Sequence, residues 1–231
     1  MAESPERLAP GVYRVDAVGI PNAVNVLLLE NDDGWTLVDT GVAGSVRRIR
    51  EALGALGSGP EEIRRIFLTH QHSDHTGGLP GMLQIAPQAE VGAAEREAEV
   101  ISGRRAPDVQ EGRLLRLMSS RTALPTAPVG KVLHEGDFVS GVRIIATPGH
   151  TLGHVSLLRD DDGLLFTADA FGCMPRRLRV GVRRAFCTDY ELARRSARKL
   201  LEEEFATVVF SHGGTLRAGA RAALRAALER S

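Results

Sequence analysis

Four apolar segments of this 231-residue chain are each followed by histidine or aspartate, and this recurring pattern constrains the fold more than any other feature. The segments are β-prone runs, and glycine or proline accompanies most of the polar stretches after them. These stretches are HQHSDH at residues 70–75, TPGH at 147–150, TAD at 167–169 and SHGG at 211–214. The pattern predicts strands whose ends carry the chemistry of the protein.

The stretch from His70 to His75 has the spacing of metal ligands. His70 and His72 are two residues apart, so an extended backbone turns both imidazoles toward one point, whereas a helix would separate them by about 200°. Asp74 and His75 follow on a turn that can direct them to a second point. The cluster therefore fits two metal ions better than one. A histidine-rich solvated loop is the alternative, and the position directly after an apolar strand disfavours it.

Three further candidate ligands lie at the ends of other predicted strands. His150 follows Pro148 and Gly149, which form a sharp turn that presents the ring. Asp169 ends a nearly all-apolar strand, where a carboxylate is costly to bury unless a cation or another partner meets it. His212 is followed by two glycines. These residues are candidates to complete a metal site with the HQHSDH stretch.

Strands and helices alternate along the chain. Strands are predicted at 12–15, 23–30, 35–39, 63–68, near 91, and at 132–139, 142–146, 154–158, 164–167 and 207–210. Helices are predicted at 45–56, capped by Ser45 and stopped by Gly57, and at 78–85, 189–203 and 216–230, with one or two more between 94 and 124. The pattern predicts one α/β domain over residues 1–231, a four-layer αββα sandwich of two mixed β-sheets flanked by helices.

Composition limits the partners and the compartment. The 29 basic and 29 acidic residues balance, so no net field steers the chain toward nucleic acid or anionic lipid, and a small-molecule partner is expected. No signal peptide and no apolar run of about 20 residues is present, so no membrane association is expected. Two cysteines, Cys173 and Cys187, fit a reducing compartment, and we expect a cytoplasmic protein.

The motifs resemble those of the metallo-beta-lactamase-fold hydrolase superfamily, in particular its glyoxalase II and lactonase-like members. The series is VDTG, THQHSDHTGG, TPGHTLGH, FTADA and SHGG, in the order found in that family, and it spans Asp39 to His212. One departure is Ala168, where the family often has glycine, and it requires only a slightly wider backbone path. The resemblance is specific for fold and metal binding, and much less so for substrate.

The resemblance implies a role for each matching residue. Asp39 is implied to support the ligands without binding metal. The implied first ion is held by His70, His72 and His150, the second by Asp74, His75 and His212, and Asp169 bridges the two.

The implied chemistry is hydrolysis of a small ester, thioester or lactone. Two ions about 3.5–4 Å apart lower the pKa of a shared water toward neutrality and so supply a hydroxide. Asp74, the implied catalytic residue, accepts a hydrogen bond from it. Zinc suits the histidine-rich set, and manganese or iron tolerates the same donors. True beta-lactamases of this fold generally lack an aspartate matching Asp169, which argues against lactam substrates.

Two other functions stay open. Sulfur dioxygenases of the same fold keep similar motifs and bind one iron through the positions of His70, His150 and Asp169, which would make the chain a persulfide-oxidising oxidoreductase. A non-catalytic metal-binding or interaction module is the other alternative, and the intact ligand set disfavours it.

The sequence also indicates roles for several residues that are not candidate metal ligands. His154 is expected to donate or accept hydrogen bonds beside the site without binding metal, and His134 to lie at the surface. The basic stretch at 175–184 is a solvated loop or a partner for a substrate carboxylate or phosphate. The leucines and methionine at 114–118 line a pocket or form the buried stripe of an amphipathic helix.

Overall fold

The computed structural model describes residues 4–112, 126–173 and 177–231. The chain divides into two compact units. Unit 1 comprises Met1–Arg105 and Leu124–Leu133, and unit 2 comprises Ala106–Ala123 and His134–Ser231. The single domain over residues 1–231 stays a prediction. The leucines and methionine at 114–118 lie outside the described residues, as does Arg176.

Unit 1 contains a seven-stranded mixed sheet whose strands follow one another in chain order. They are β1 (Glu6–Ala9), β2 (Val12–Asp16), β3 (Asn25–Asn31), β4 (Gly34–Val38), β5 (Ile63–Leu68), β6 (Glu90–Ala94) and β7 (Lys131–Leu133). The pairs from β1 to β4 are antiparallel, and the pairs from β4 to β7 are parallel. The parallel part places the ends of β4 and β5, which carry the first candidate residues, side by side.

In the part of unit 1 that the structure describes, four helices are present: α1 (Val46–Ala55), α2 (Ser73–Thr76), α3 (Leu79–Ile85) and α4 (Glu95–Ile101), with 3-10 turns at Ala43–Ser45 and Pro60–Glu62. Ile49 and Leu53 of α1 lie four residues apart on one helix face and are fully buried in the core with Leu28 and Leu37 of the sheet. The predicted cap by Ser45 is wrong. The preceding 3-10 turn continues directly into α1, so Ser45 already has helical φ and its side chain makes no capping hydrogen bond.

Unit 2 contains a six-stranded mixed sheet in the order β15-β14-β11-β10-β9-β8, and a separate two-stranded sheet, β12-β13. The strands are β8 (Phe138–Val139), β9 (Val142–Ala146), β10 (Val155–Arg159), β11 (Leu164–Phe166), β12 (Phe171–Cys173), β13 (Leu178–Val180), β14 (Thr207–Val209) and β15 (Thr215–Leu216). The β11–β14 pair is parallel, and the others are antiparallel.

The described residues of unit 2 form the helices α5 (Tyr190–Leu200) and α6 (Ala220–Glu229), preceded by a 3-10 turn at Arg184–Phe186. Their apolar faces pack in one core with the sheet, with Ala197 and Leu224 fully buried beside Val208. Asp189 caps α5 by accepting a hydrogen bond from the backbone N–H of Leu192 at 2.8 Å. None of the described helices is long and apolar enough to span a bilayer.

Two predicted elements need correction, and part of the basic stretch at 175–184, expected as a loop, forms the strand β13. Residues 132–139 do not form one strand, because Gly136, with φ of 83°, turns the chain, and the segment divides between β7 and β8 in different sheets. The last helix begins at Ala220, not at 216, because residues 215–216 pair with β14 and Gly219 is left-handed at φ of 68°. The prediction of an α/β fold with two mixed sheets flanked by helices is confirmed.

Candidate metal centre

The HQHSDH stretch follows β5 with only Thr69 between them, as its position behind an apolar strand predicted. His72 has φ of −64° and ψ of 148°, so the backbone is extended there, and α2 starts at Ser73. The extended geometry brings Nε2 of His70 to 3.2 Å from Nδ1 of His72. The expectation that an extended path would turn these two imidazoles toward one point is confirmed.

Asp74 and His75 lie on the helical turn that follows. Oδ2 of Asp74 is 3.9 Å from Nε2 of His75, and the rings of His70 and His75 have centroids 4.0 Å apart. The side chain of Asp74 is 37% exposed, whereas that of His75 is 1% exposed. Unit 1 therefore presents three imidazoles and one accessible carboxylate in a single cluster.

Asp39, at the end of β4, holds this cluster from within unit 1. Its Oδ1 accepts a hydrogen bond from the backbone N–H of Thr69 at 2.8 Å, and its Oδ2 accepts one from the Thr69 hydroxyl at 2.8 Å. Oδ2 also lies 2.8 Å from Nδ1 of His75. A hydrogen bond donated by Nδ1 fixes the ring orientation and leaves Nε2 as the lone-pair donor. This geometry agrees with the supporting role that the resemblance implies for Asp39.

A buried hydrogen bond that the sequence did not predict links the HQHSDH stretch to α4. Gln71, between His70 and His72, donates from Nε2 to Oε2 of Glu97 on α4 at 3.1 Å. Gln71 is 1% exposed and Glu97 is fully buried. The sequence around Glu97, EREAEV, has the pattern of an ordinary charged helix and does not mark Glu97 as buried. The sequence feature that could have indicated this contact is Gln71, a polar residue between two candidate ligands.

In unit 2, two candidate histidine ligands converge on the carboxylate of the third candidate, Asp169. Oδ2 of Asp169 lies 3.2 Å from Nε2 of His150 and 3.4 Å from Nε2 of His212. All three residues are buried, with exposures of 1% for His150, 3% for Asp169 and 6% for His212. One carboxylate oxygen thus lies close to two imidazole nitrogens, so unit 2 gathers three buried side chains that are able to bind metal.

Backbone geometry places His150 and Asp169. Gly149 has φ of 130°, and a Cβ there would lie 2.1 Å from the backbone nitrogen of Ala193 in α5, so only glycine allows this close approach. Ala168, directly before Asp169, is left-handed at φ of 44°. Ala168 is therefore strained. The expectation that alanine at this position requires only a slightly wider backbone path understated this strain.

His154 anchors Asp169 through its backbone. Nε2 of His154 accepts a hydrogen bond from the backbone N–H of Asp169 at 3.0 Å, so the ring proton of the neutral form is on Nδ1, 2.8 Å from the hydroxyl of Thr147. Thr147 in turn bonds to the hydroxyl of Ser156 at 2.9 Å, and Ser156 donates to the carbonyl of Thr167 at 3.0 Å. The prediction that His154 makes hydrogen bonds beside the site is confirmed.

The donors in both units fit a divalent metal. Buried imidazole nitrogens and carboxylate oxygens suit zinc, and also manganese or iron. The same side chains belong to His/Asp groups with the composition of metal sites. His134, predicted at the surface, is exposed, and both cysteines are free thiols.

Fold and donors together define a class of metalloprotein. Residues 19–212 match the model of the Metallo-beta-lactamase superfamily, so the chain belongs to this superfamily.

Relatives in the superfamily include several bacterial proteins. The chain is 31% identical over 206 residues to the uncharacterized protein YobT of Bacillus subtilis, covering 84% of each chain. It is 31% identical over 173 residues to the probable metallo-hydrolase YflN of the same organism, covering 70% of this chain and 64% of YflN. It is 32% identical over 141 residues to a hydroxyacylglutathione hydrolase of Rhodobacter capsulatus, covering 60% of this chain and 46% of that enzyme.

Solved structures agree on the fold. A HARLDQ-motif mutant of a metallo-beta-lactamase from Cronobacter sakazakii matches with a TM-score of 0.69 at 26% identity, covering 99% of this chain and 85% of that one. The subclass B3 enzyme BJP-1 of Bradyrhizobium japonicum matches with a TM-score of 0.68 at 23% identity, covering 91% of this chain and 78% of that one. The latter likeness concerns the fold alone.

Proposed function

We propose that this chain is a binuclear metal-dependent hydrolase of small esters, thioesters or lactones. The observation that carries the proposal is the carboxylate of Asp169, which lies 3.2 Å and 3.4 Å from the imidazole nitrogens of His150 and His212. An oxygen so placed suits a ligand shared by two ions. The relatives named as a probable metallo-hydrolase and a hydroxyacylglutathione hydrolase support hydrolysis as the reaction class.

The pattern of the superfamily assigns the ligands in this proposal. One ion would be held by His70, His72 and His150, the other by Asp74, His75 and His212, with Asp169 shared. Zinc is the favoured metal because imidazoles dominate the set. Two divalent ions, when bound, would lower the pKa of a water between them and polarise the carbonyl of the substrate.

The residues of the chain would perform the remaining work. Asp74 is the most accessible carboxylate of the set, at 37% exposure, and would accept a hydrogen bond from the attacking water and orient its lone pair toward the carbonyl carbon. Asp39 holds His75 in the tautomer that presents Nε2. The small-molecule partner and the cytoplasmic location belong to the proposal as well, as does the exclusion of lactams argued from Asp169.

The test combines metal analysis with a hydrolysis screen. Purified protein is assayed for zinc, manganese and iron, and its turnover is measured on lactones, thioesters, aryl esters and phosphoesters. We expect two ions per chain and hydrolysis of a carbonyl substrate, both reduced strongly in His72→Ala and unchanged in the matched control His134→Ala, whose ring is exposed.

Two results would contradict the proposal. Equal turnover by His72→Ala and the parent would show that the activity arises elsewhere. One iron per chain, with oxygen consumed on persulfides, would replace the hydrolase with the dioxygenase.

A further inference from the structure

A cavity of about 480 Å³ in unit 2 is lined by five arginines. It lies where β13 and the turn after it contact α6. The arginines are Arg177, Arg179, Arg183, Arg184 and Arg230. Its volume is within the usual range for small-molecule sites, about 300–1,000 Å³. None of the candidate metal ligands lines it, so it is a separate feature of unit 2.

The arginines greatly outnumber the carboxylates that pair with them. Nε of Arg184 lies 3.2 Å from Oε2 of Glu111. Among the described residues, no side-chain carboxylate forms an ion pair with Arg177, Arg183 or Arg230. The whole chain is neutral, yet residues 176–231 contain 13 arginines and lysines against six acidic residues. Guanidinium groups gathered in one cavity repel one another, and a bound anion would relieve that repulsion.

The backbone holds two of these arginines in place. Gly181 and Val182 are both left-handed, with φ of 62° and 60°, and a β-branched residue rarely adopts this conformation. A Cβ on Gly181 would lie 2.2 Å from Sγ of Cys187, so the turn is packed against the buried thiol beneath it. Val182 is 2% exposed. Arg183 and Arg184 therefore extend from a fixed, strained turn, so ligand binding needs no ordering of the backbone there, and only the two exposed side chains become ordered.

We propose that this cavity binds a small organic anion that carries two or more phosphate groups. Guanidinium groups bind phosphate oxygens through paired, charge-assisted hydrogen bonds, and several of them suit more than one phosphate. Three of these guanidinium groups, those of Arg177, Arg183 and Arg230, have no carboxylate partner among the described residues, which suits a diphosphate with about three negative charges near neutral pH. A purely structural role is the competing explanation, since Arg230 lies at the C-terminal end of α6, where a cation is favourable without any ligand.

Calorimetric titration of the zinc-loaded full chain with pyrophosphate tests the proposal. We expect saturable binding that weakens as salt is raised, and weaker binding of inorganic phosphate. Arg183→Gln and Arg230→Gln should each weaken pyrophosphate binding by about tenfold, since each removes a charge-assisted contact. Arg195→Gln is the matched control, because Arg195 is exposed on α5 outside the cavity, and its affinity should stay within about twofold of the parent.

A second variant separates this cavity from the metal centre. Pyrophosphate chelates metals, so His150→Ala, which removes a proposed ligand, should retain the binding if the arginine cavity is the site. Loss of binding in His150→Ala, equal binding by the arginine variants and the parent, citrate binding as tightly as pyrophosphate, or no binding by the parent would each overturn the proposal. Thermal melts confirm that every variant is folded, and pyrophosphate should raise the Tm of the parent more than that of Arg183→Gln.

Discussion

Replacement of His154 by alanine removes the imidazole that holds the backbone of Asp169. The N–H of Asp169, 3.0 Å from Nε2, loses this buried acceptor in the variant, and the hydroxyl of Thr147, 2.8 Å from Nδ1, keeps its bond to Ser156 but loses the one to the ring. A buried polar group left without a hydrogen bond costs about 1–3 kcal/mol, and the missing ring leaves a cavity as well. We therefore expect the free energy of unfolding to fall by about 3–5 kcal/mol.

Urea denaturation of the metal-free protein measures the free energy of unfolding, and calorimetry then measures the Tm. A loss of this size lowers the Tm of a chain of this length by roughly 10 °C. His154→Gln should recover part of the loss, because its amide oxygen can accept from the Asp169 N–H. His134→Ala, with an exposed ring, should change the free energy of unfolding by less than about 0.5 kcal/mol.

Zinc affinity shows whether the hydrogen bond from His154 to the Asp169 backbone also supports the candidate metal centre. Residues that orient metal ligands typically change metal affinity by about 10–100-fold when replaced. Zinc affinity, measured by competition with a chelator, should therefore fall in His154→Ala by that factor. If the free energy of unfolding of His154→Ala lies within about 1 kcal/mol of that of the parent, and its zinc affinity is equal, then His154 does not anchor Asp169.

Three further predictions concern backbone strain and thiol chemistry. Gly149→Ala should lose about 3 kcal/mol or more in urea denaturation, because the new Cβ would lie 2.1 Å from the backbone of Ala193; a loss under 1 kcal/mol would contradict it. Ala168→Gly should gain about 0.5–1 kcal/mol, since alanine is strained at φ of 44°, and destabilisation by this change would count against the strain. Burial raises the pKa of the Cys187 thiol to about 12, so below pH 9 it stays protonated, and a thiol reagent should label Cys173 in the native protein and both cysteines only in denaturant. Two rapidly labelled thiols in the native state would show that Cys187 is accessible.

The elements that the sequence predicted best are those with a strong local signal. The strand at 63–68 has the predicted bounds, since an unbroken apolar run behind a turn has few alternatives. The extended path through His70 and His72 followed from the same logic, because two-residue spacing converges only on extended backbone. The turn geometry at Gly149 was expected from the Pro-Gly pair in the same way.

The features that the sequence did not predict depend on contacts between distant segments. Glu97 is fully buried because Gln71 reaches it from another element, and no local pattern marks a glutamate on a charged helix as buried. The strand β13 lies in a stretch predicted as a basic loop, since pairing with β12 stabilises three residues whose own pattern is weak. Residues 132–139 divide between two sheets for a similar reason, because tertiary pairing overrides a continuous local preference.

Crystallography of the zinc-loaded protein, with anomalous data collected at the zinc edge, would show directly how many ions the chain binds and which side chains hold them. We expect two anomalous peaks per chain, one beside His70, His72 and His150 and the other beside Asp74, His75 and His212, with Asp169 contacting both. A single peak, no peak, or ions held by other side chains would contradict the proposed binuclear site.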